Sequence, residues 1–218
     1  MKVCTDACIQ GAWTSLNIPQ SVNSILDIGT GTGLLSLMLA QNSQAKVTAI
    51  EIDQQTSDQA AENFSISSWS ERMEVFNIAL RDFESGNNYD VIICNPPFYE
   101  NDLQSPDGMK NAAMHSTTLA LKELIEKITA LLSPDGVASL LLPVHRYEHL
   151  LVLLDKSDLF ILKQLNIKQS SSHEVFRIVV LFSRNTPDIK TEEELIIKND
   201  HVYSESFKDL MRDYYLKL

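Results

Sequence analysis

Apolar residues in this chain are bunched into short runs, and between the runs apolar and polar positions alternate at helical spacing. Ser24–Ile28, Lys46–Ile52, Met73–Ile78, Tyr89–Cys94 and Val137–Leu142 read as strands, and Phe160–Lys168 and Val175–Phe182 as two late ones. Helices are expected from Thr5 to about Leu16, with Thr5 or Asp6 as N-cap and Pro19 just past the end, and over Leu34–Ala40. Others are expected from Gln54 to about Trp69, over Thr118–Leu132, around Tyr147–Leu154 and over Tyr203–Leu216. Phe98 to about Ser116 reads as a loop, with Pro106 and Gly108 inside it, and Ser133-Pro134-Asp135-Gly136 as a turn.

Strands alternating with helices predict an α/β fold: a doubly wound, mostly parallel sheet of seven strands with helices on both faces. The last two strands are joined by a short Ser-rich stretch, Ser170-Ser171-Ser172. A parallel crossover needs a dozen or so residues, so these strands are expected to form an antiparallel C-terminal hairpin. With 218 residues and neither a repeat nor a linker-like tract, residues 1–218 are expected to form one domain.

Composition adds exclusions. The chain is 44% hydrophobic and 22% charged, which suits a packed globular protein and excludes collagen-like, coiled-coil and disordered readings for its bulk. No uncharged apolar run approaches the roughly 18 residues of a membrane span, and the start, Met1-Lys2-Val3-Cys4-Thr5-Asp6, lacks the apolar stretch of a secretory signal. A cytoplasmic protein without membrane partners is expected. Cys4, Cys8 and Cys94 make no disulfide framework. Cys4 and Cys8 share a helix face without two further ligands at metal-binding spacing, so no metal site is assigned and both read as small buried residues. The net charge of −11 argues against a broad nucleic-acid-binding surface, although a local patch can suffice for a polyanionic substrate.

The first chemical signal is the loop after the first strand. Gly29, Gly31 and Gly33 lie within five residues, where glycine permits positive φ and close approach of a ligand to the backbone. The helix that follows offers free N–H groups. A dinucleotide fingerprint would need a third glycine at Leu34, and a Walker loop would need a lysine after the glycines; neither is present. Asp27, two residues before Gly29, would repel a pyrophosphate and suits a cationic or amine-bearing ligand. Glu51 ends the second strand, where doubly wound folds place an acid that accepts hydrogen bonds from ribose hydroxyls. Asp53 is a substitute for that role or the N-cap of the next helix.

The second signal is Asn95-Pro96-Pro97-Phe98-Tyr99 at the end of the fourth strand, where open α/β sheets bind ligands. Two prolines fix an extended backbone. That rigidity can aim the Asn95 side-chain oxygen and the Pro96 carbonyl at one exocyclic amine lying in plane between them, turning its lone pair toward an electrophile. Phe98 or Tyr99 can stack on a flat substrate.

Together, Asp27-Ile28-Gly29-Thr30-Gly31-Thr32-Gly33, Glu51 and Asn95-Pro96-Pro97-Phe98 resemble the Rossmann-like S-adenosylmethionine-dependent methyltransferases, in which an Asn-Pro-Pro-aromatic motif marks enzymes acting on adenine N6, cytosine N4 or glutamine side chains. Lys2 to Trp13, Phe176-Arg177-Ile178-Val179 and the tail Tyr203-Ser204-Glu205 through Tyr214-Tyr215-Leu216 are similar to the bacterial tRNA(Val) adenine-N6 methyltransferases, which modify the adenosine beside the anticodon. The resemblance implies S-adenosylmethionine as cofactor and tRNA as substrate. It implies catalytic roles for Asn95, Pro96, Pro97 and Phe98. Cofactor contacts are implied at Thr5, Asp6, Asp27, Gly29, Gly31, Gly33, Glu51 and the place near Ala79, and substrate contacts at Tyr99, His115 and Arg177. The chain departs from the pattern at Ala79, where the class often has an Asp, so the Ala79 backbone or Asp82 would substitute. It departs again at Met114, where the family often has an Arg, and it opens at the Lys2-Val3 motif, which the family precedes with a further segment.

Lys163, Lys168, Arg177 and Arg184 against Glu174 make the stretch from Ile161 to Pro187 locally basic, and it is the expected RNA face. Trp13, Trp69, Tyr214 and Tyr215 read as packing residues. The alternatives are a glutamine-N5 methyltransferase acting on a protein, another RNA or DNA amino methyltransferase, or a non-catalytic cofactor-binding or RNA-chaperone module. A monomer is expected.

Overall fold

The computed structural model describes residues 4–19, 21–96 and 121–216. Thr5–Asn17 forms the helix α1, which leads to β1 (Ser24–Ile28), α2 (Leu34–Asn42), β2 (Lys46–Glu51), α3 (Gln54–Ser65), β3 (Met73–Asn77) and β4 (Tyr89–Cys94). Residues 121–131 are helical (α4). They are followed by β5 (Leu132–Pro143), α5 (Tyr147–Asp155), β6 (Phe160–Lys168), β7 (Val175–Ser183), β8 (Thr191–Ile196), a small β9–β10 hairpin (Lys198–Asn199 and Val202–Tyr203) and α6 (Glu205–Met211).

The main sheet has the order β3-β2-β1-β4-β5-β7-β6-β8. β1 pairs in parallel with both β2 and β4, so the winding reverses between β1 and β4. Loops leaving the two strands diverge there and open a crevice at their C-terminal ends. β7 runs antiparallel to β5 and β6, as the short Ser-rich connection requires. Both faces of the central strands are buried, which explains their unbroken apolar runs: Ile92, Leu140 and Leu142 pack toward α4 and α5, while Leu141, Val179 and Leu181 pack toward α1 and α6.

The sheet has eight strands, not seven. The eighth, β8, lies parallel to β6 at the sheet edge, with Thr191, Glu192 and Glu194 exposed. Its sequence, Thr191-Glu192-Glu193-Glu194-Leu195-Ile196, carries the charges typical of an edge strand and lacks the apolar alternation that marks a half-buried one. Boundaries also move. α1 starts at Thr5 with Cys4 as N-cap and no side-chain cap, so neither Thr5 nor Asp6 fills that role. α3 ends at Ser65, and Ser70–Arg72 forms a separate 3-10 turn. The last helix is shorter than expected and begins after Ser204, whose hydroxyl oxygen accepts from the Phe207 N–H. The expected turn at Ser133–Gly136 lies inside β5, where pairing with β4 jumps from Tyr89↔Leu132 to Val91↔Val137. Cys8 is buried as expected, but Cys4 is exposed.

Candidate functional site

The first wall is the turn from β1 into α2. Gly29, Gly31 and Gly33 all adopt positive φ (69°, 59° and 88°). The Gly29 and Thr30 N–H groups both donate to the Ile50 carbonyl, at 2.9 and 3.1 Å, which folds the loop back over β2. A Cβ on Gly29 would meet nothing within 4 Å, so its backbone faces open space, whereas one on Gly33 would lie 2.4 Å from Phe64 Cε1. The three glycines thus divide the work: Gly29 and Gly31 line the cavity, and Gly33 lets α3 approach.

Asp27 sits beneath this loop and is fully buried. Its Oδ2 accepts from Thr30 Oγ1 at 2.6 Å, Ser36 Oγ at 2.7 Å and the Ser36 N–H at 3.1 Å, so the acid ties the loop to the first turn of α2. Its Oδ1 is buried without a partner. Burial pushes the carboxyl up to about 6, against the pull of the Thr30 and Ser36 hydrogen bonds, and the neighbouring Glu51 charge adds to the rise. Glu51 closes the loop from β2: Oε2 accepts from the Gly31 N–H at 2.9 Å and Oε1 from the Asp53 N–H at 3.0 Å. Asp53 takes the N-cap role on α3, accepting from the Thr56 N–H at 2.8 Å.

A cavity of about 1160 Å³ opens in front of these groups. Its floor is Gly29, Gly31 and Glu51. One side is Ile52, Ile78, Ala79 and Leu80, with Leu124 of α4 opposite, and Asn95 and Pro96 stand at the end of β4. Ile52 is 71% exposed although it is a large aliphatic residue, so the cavity has a bare apolar wall beside its acidic floor. Sequence reasoning assigned Ile52 to the second strand; the strand stops at Glu51, and an apolar residue just past the strand-end acid was the available signal. Cys4, Leu80 and Leu124 are likewise cavity residues that sequence reasoning missed.

Of the expected site residues, the structure brings Gly29, Gly31, Glu51, Ala79, Asn95 and Pro96 to this one cavity. Asp27 and Gly33 support it from behind. Thr5 and Asp6 do not line it: Thr5 hydrogen-bonds Tyr215, and Asp6 Oδ2 lies 3.2 Å from Arg177 Nε. Asp82 is not among the cavity residues; its exposed carboxylate pairs at 3.3 Å with Arg81, which lines the cavity. Pro97, Phe98, Tyr99 and His115 lie outside the described residues.

The β4 end is anchored from α1. Gln10, fully buried, donates from Nε2 to the Cys94 carbonyl at 2.9 Å, immediately before Asn95. Behind it, Thr14 Oγ1 and Ser139 Oγ share a hydrogen bond of 2.7 Å. The Cys94 thiol is held well above its ordinary value by burial, with the Asp27 charge adding to the effect, so it stays protonated and inert.

The expected basic face fares differently. Lys163 donates to Asn17 Oδ1 at 2.7 Å, Lys168 pairs with Glu194 at 2.8 Å, and Arg184 donates to the Thr129 carbonyl. β8, which sequence reasoning missed, brings Glu192, Glu193 and Glu194 alongside β6 and offsets the positive charge there.

Residues 14–151 match the model of the methyltransferase small domain family. Over its whole length the chain is similar to a tRNA1(Val) (adenine(37)-N6)-methyltransferase of Flavobacterium psychrophilum, 37% identical and covering 94% of that protein. It is also similar to a protein of the same description from Dyadobacter fermentans, 38% identical and covering 91%. Among solved structures it is similar to one described as a predicted O-methyltransferase from Agrobacterium tumefaciens, with a TM-score of 0.72 over 95% of this chain and 96% of that one. The identity is 17%, so this likeness speaks to the fold.

Proposed function

The chain belongs to the methyltransferase small domain family and to the tRNA1(Val) (adenine(37)-N6)-methyltransferases within it, and on that premise we propose that it methylates the exocyclic N6 amine of an adenosine in tRNA, adenosine 37 of tRNA1(Val) by relationship. S-adenosylmethionine is the methyl donor. When bound it supplies an electrophilic methyl group on a sulfonium centre.

The residues present fit this cofactor. The open backbone at Gly29 leaves room that any Cβ would fill. The buried, unpartnered Oδ1 of Asp27 keeps an acid beneath the loop, complementary to a cationic ligand. Glu51 would take ribose hydroxyls on the lone pairs that Gly31 and Asp53 leave free, and Ile52, Ala79 and Leu80 would flank the flat base.

Positioning and electrostatics carry the reaction. The Asn95 side-chain oxygen and the Pro96 carbonyl accept the two N–H groups of the target amine, fix its plane and direct its lone pair into the cavity. No base is needed before attack, because the proton leaves once nitrogen has become cationic. Pro97 stiffens the bracket, and Phe98 or Tyr99 stacks on the adenine. The observation that carries this reading is that Asn95 and Pro96 share one cavity with Gly29, Gly31 and Glu51. An anticodon-loop adenosine is cheaper to extrude than a paired one. Among the described residues no helix is long and apolar enough to cross a membrane. We read residues 1–218 as one methyltransferase domain that works as a monomer on tRNA in the cytoplasm.

The test is transfer from labelled S-adenosylmethionine to unmodified tRNA1(Val), followed by nucleoside mass spectrometry and mapping. N6-methyladenosine at a single anticodon-loop position is expected. Label in a protein glutamine and none in tRNA would overturn the reading.

A further inference from the structure

The Asp6–Arg177 pair stands beside the reaction end of the cavity. Gln10 reaches the Cys94 carbonyl, and α1 runs from there back toward the rim that carries Asn95. Asp6 is one turn before Gln10, about 6 Å along the axis, which is just under two residues of strand. It therefore stands about level with Asn95 and Pro96, and Cys4, next along, lines the cavity with them. Arg177 arrives from the other side, near the start of β7, in register with Pro143 at the end of β5 and with Ile167 of β6. Its Nε is 3.2 Å from Asp6 Oδ2, with the two side chains 20% and 23% exposed. Its guanidinium lies 5.6 Å from the Phe176 ring centroid, and Nη1 donates to the Phe176 carbonyl at 3.3 Å.

A partly desolvated ion pair is a weak stabilising device but an effective way to fix a planar fork of donors. Such a fork matches a phosphodiester. Extruding a base into the cavity brings its flanking phosphates to the rim. Lys163, opposite Leu181, and Arg184, just past the end of β7, stand at the other end of these strands, and Lys168 lies one strand farther out on β6, paired with Glu194, so within the basic stretch Arg177 is the cation that stands at the Asn95 end. We propose that Arg177 takes a backbone phosphate beside the target adenosine, and that Asp6 is the positioning residue that holds the guanidinium for it. The proposal rests on the tRNA reading above. It moves Asp6 from the cofactor side of the site to the substrate side.

Charge alone predicts the opposite sign. If Asp6 were only an acid near RNA, Asp6→Asn would remove a repulsion and tighten RNA binding. The pair is tested by tRNA binding and methyl transfer across a salt series, with S-adenosylmethionine affinity measured in parallel. Arg177→Gln should weaken tRNA binding tenfold or more and make the slope of log K against log salt shallower by about 0.7–0.9. Asp6→Asn should raise KM for tRNA fivefold or more, with kcat and cofactor affinity within twofold of wild type. Arg177→Lys keeps the charge and carries the test if Arg177→Gln folds poorly: a wild-type salt slope with raised KM is expected. Tighter tRNA binding by Asp6→Asn, an unchanged salt slope in Arg177→Gln, or a wild-type KM in Arg177→Lys overturns the proposal. Failure of the wild-type protein itself to methylate tRNA would overturn the functional reading instead.

Discussion

The backbone N–H of Gly31 donates to Oε2 of Glu51 at 2.9 Å, so the acid at the end of β2 holds the glycine loop in shape. The same carboxylate takes the Asp53 N–H through Oε1, which sets the start of α3. One side chain thus preorganises the loop and presents an acceptor to the cavity. Glu51→Ala should lower stability by about 1–3 kcal/mol through loss of two charge-assisted bonds and weaken S-adenosylmethionine at least tenfold. Urea unfolding and titration calorimetry measure the two effects. Glu51→Gln, which can keep only one of the two bonds, should fall between.

Gly29 and Gly33 share positive φ but not surroundings, and alanine should separate them. Gly33→Ala drives a Cβ to 2.4 Å from Phe64 Cε1 at φ +88°. It should cost about 2–4 kcal/mol, combining overpacking with left-handed backbone strain. Gly29→Ala meets open space at φ +69°, so its folding cost should be about 1–2 kcal/mol. Its added methyl points where the cofactor would lie, so its loss of cofactor affinity should exceed its loss of stability. Melting curves with and without S-adenosylmethionine distinguish the two variants.

Asp27 gives the site a pH dependence whose sign is fixed. Its carboxyl is raised in the folded state to about 6 from 3.8. The stability it contributes is therefore fully present below about 3.8 and lost as pH rises through about 6. Between pH 7 and 5 the unliganded protein should gain about 1 kcal/mol relative to Asp27→Asn. Cofactor affinity should run the other way. A cationic ligand favours the carboxylate, so its Kd should rise as pH falls below about 6, by up to ~10-fold per unit. Titrations of the two proteins from pH 5 to 7 measure both trends.

The glycine loop, the strand-end acid and the place of Asn95 and Pro96 at the end of β4 were legible in the sequence because each is a local signal: a backbone requirement or a side chain at a strand end. The parallel strands were legible for the same reason, since burial on both faces leaves unbroken apolar runs. What escaped was relational. β8 is an edge strand whose Glu192, Glu193 and Glu194 mimic a solvated loop, so the neutralisation of the β6 cations was invisible. Asp6 and Thr5 were expected at the cofactor, and the contacts that α1 gives them with Arg177 and Tyr215 join residues too far apart in the chain to be read from spacing. Gln10 carries no local signal of a role, and only the packing of α1 on the sheet brings it to Cys94.

The proposed mechanism divides the labour: Asn95 and Pro96 grip the target amine while other residues hold the cofactor. Methyl transfer to tRNA1(Val) by Asn95→Ala, with S-adenosylmethionine affinity determined on the same preparation, tests that division without intermediate assumptions. Turnover should fall at least 100-fold, about 3 kcal/mol in transition-state stabilisation, while cofactor Kd stays within threefold of wild type. Wild-type turnover by Asn95→Ala with cofactor bound would contradict the mechanism.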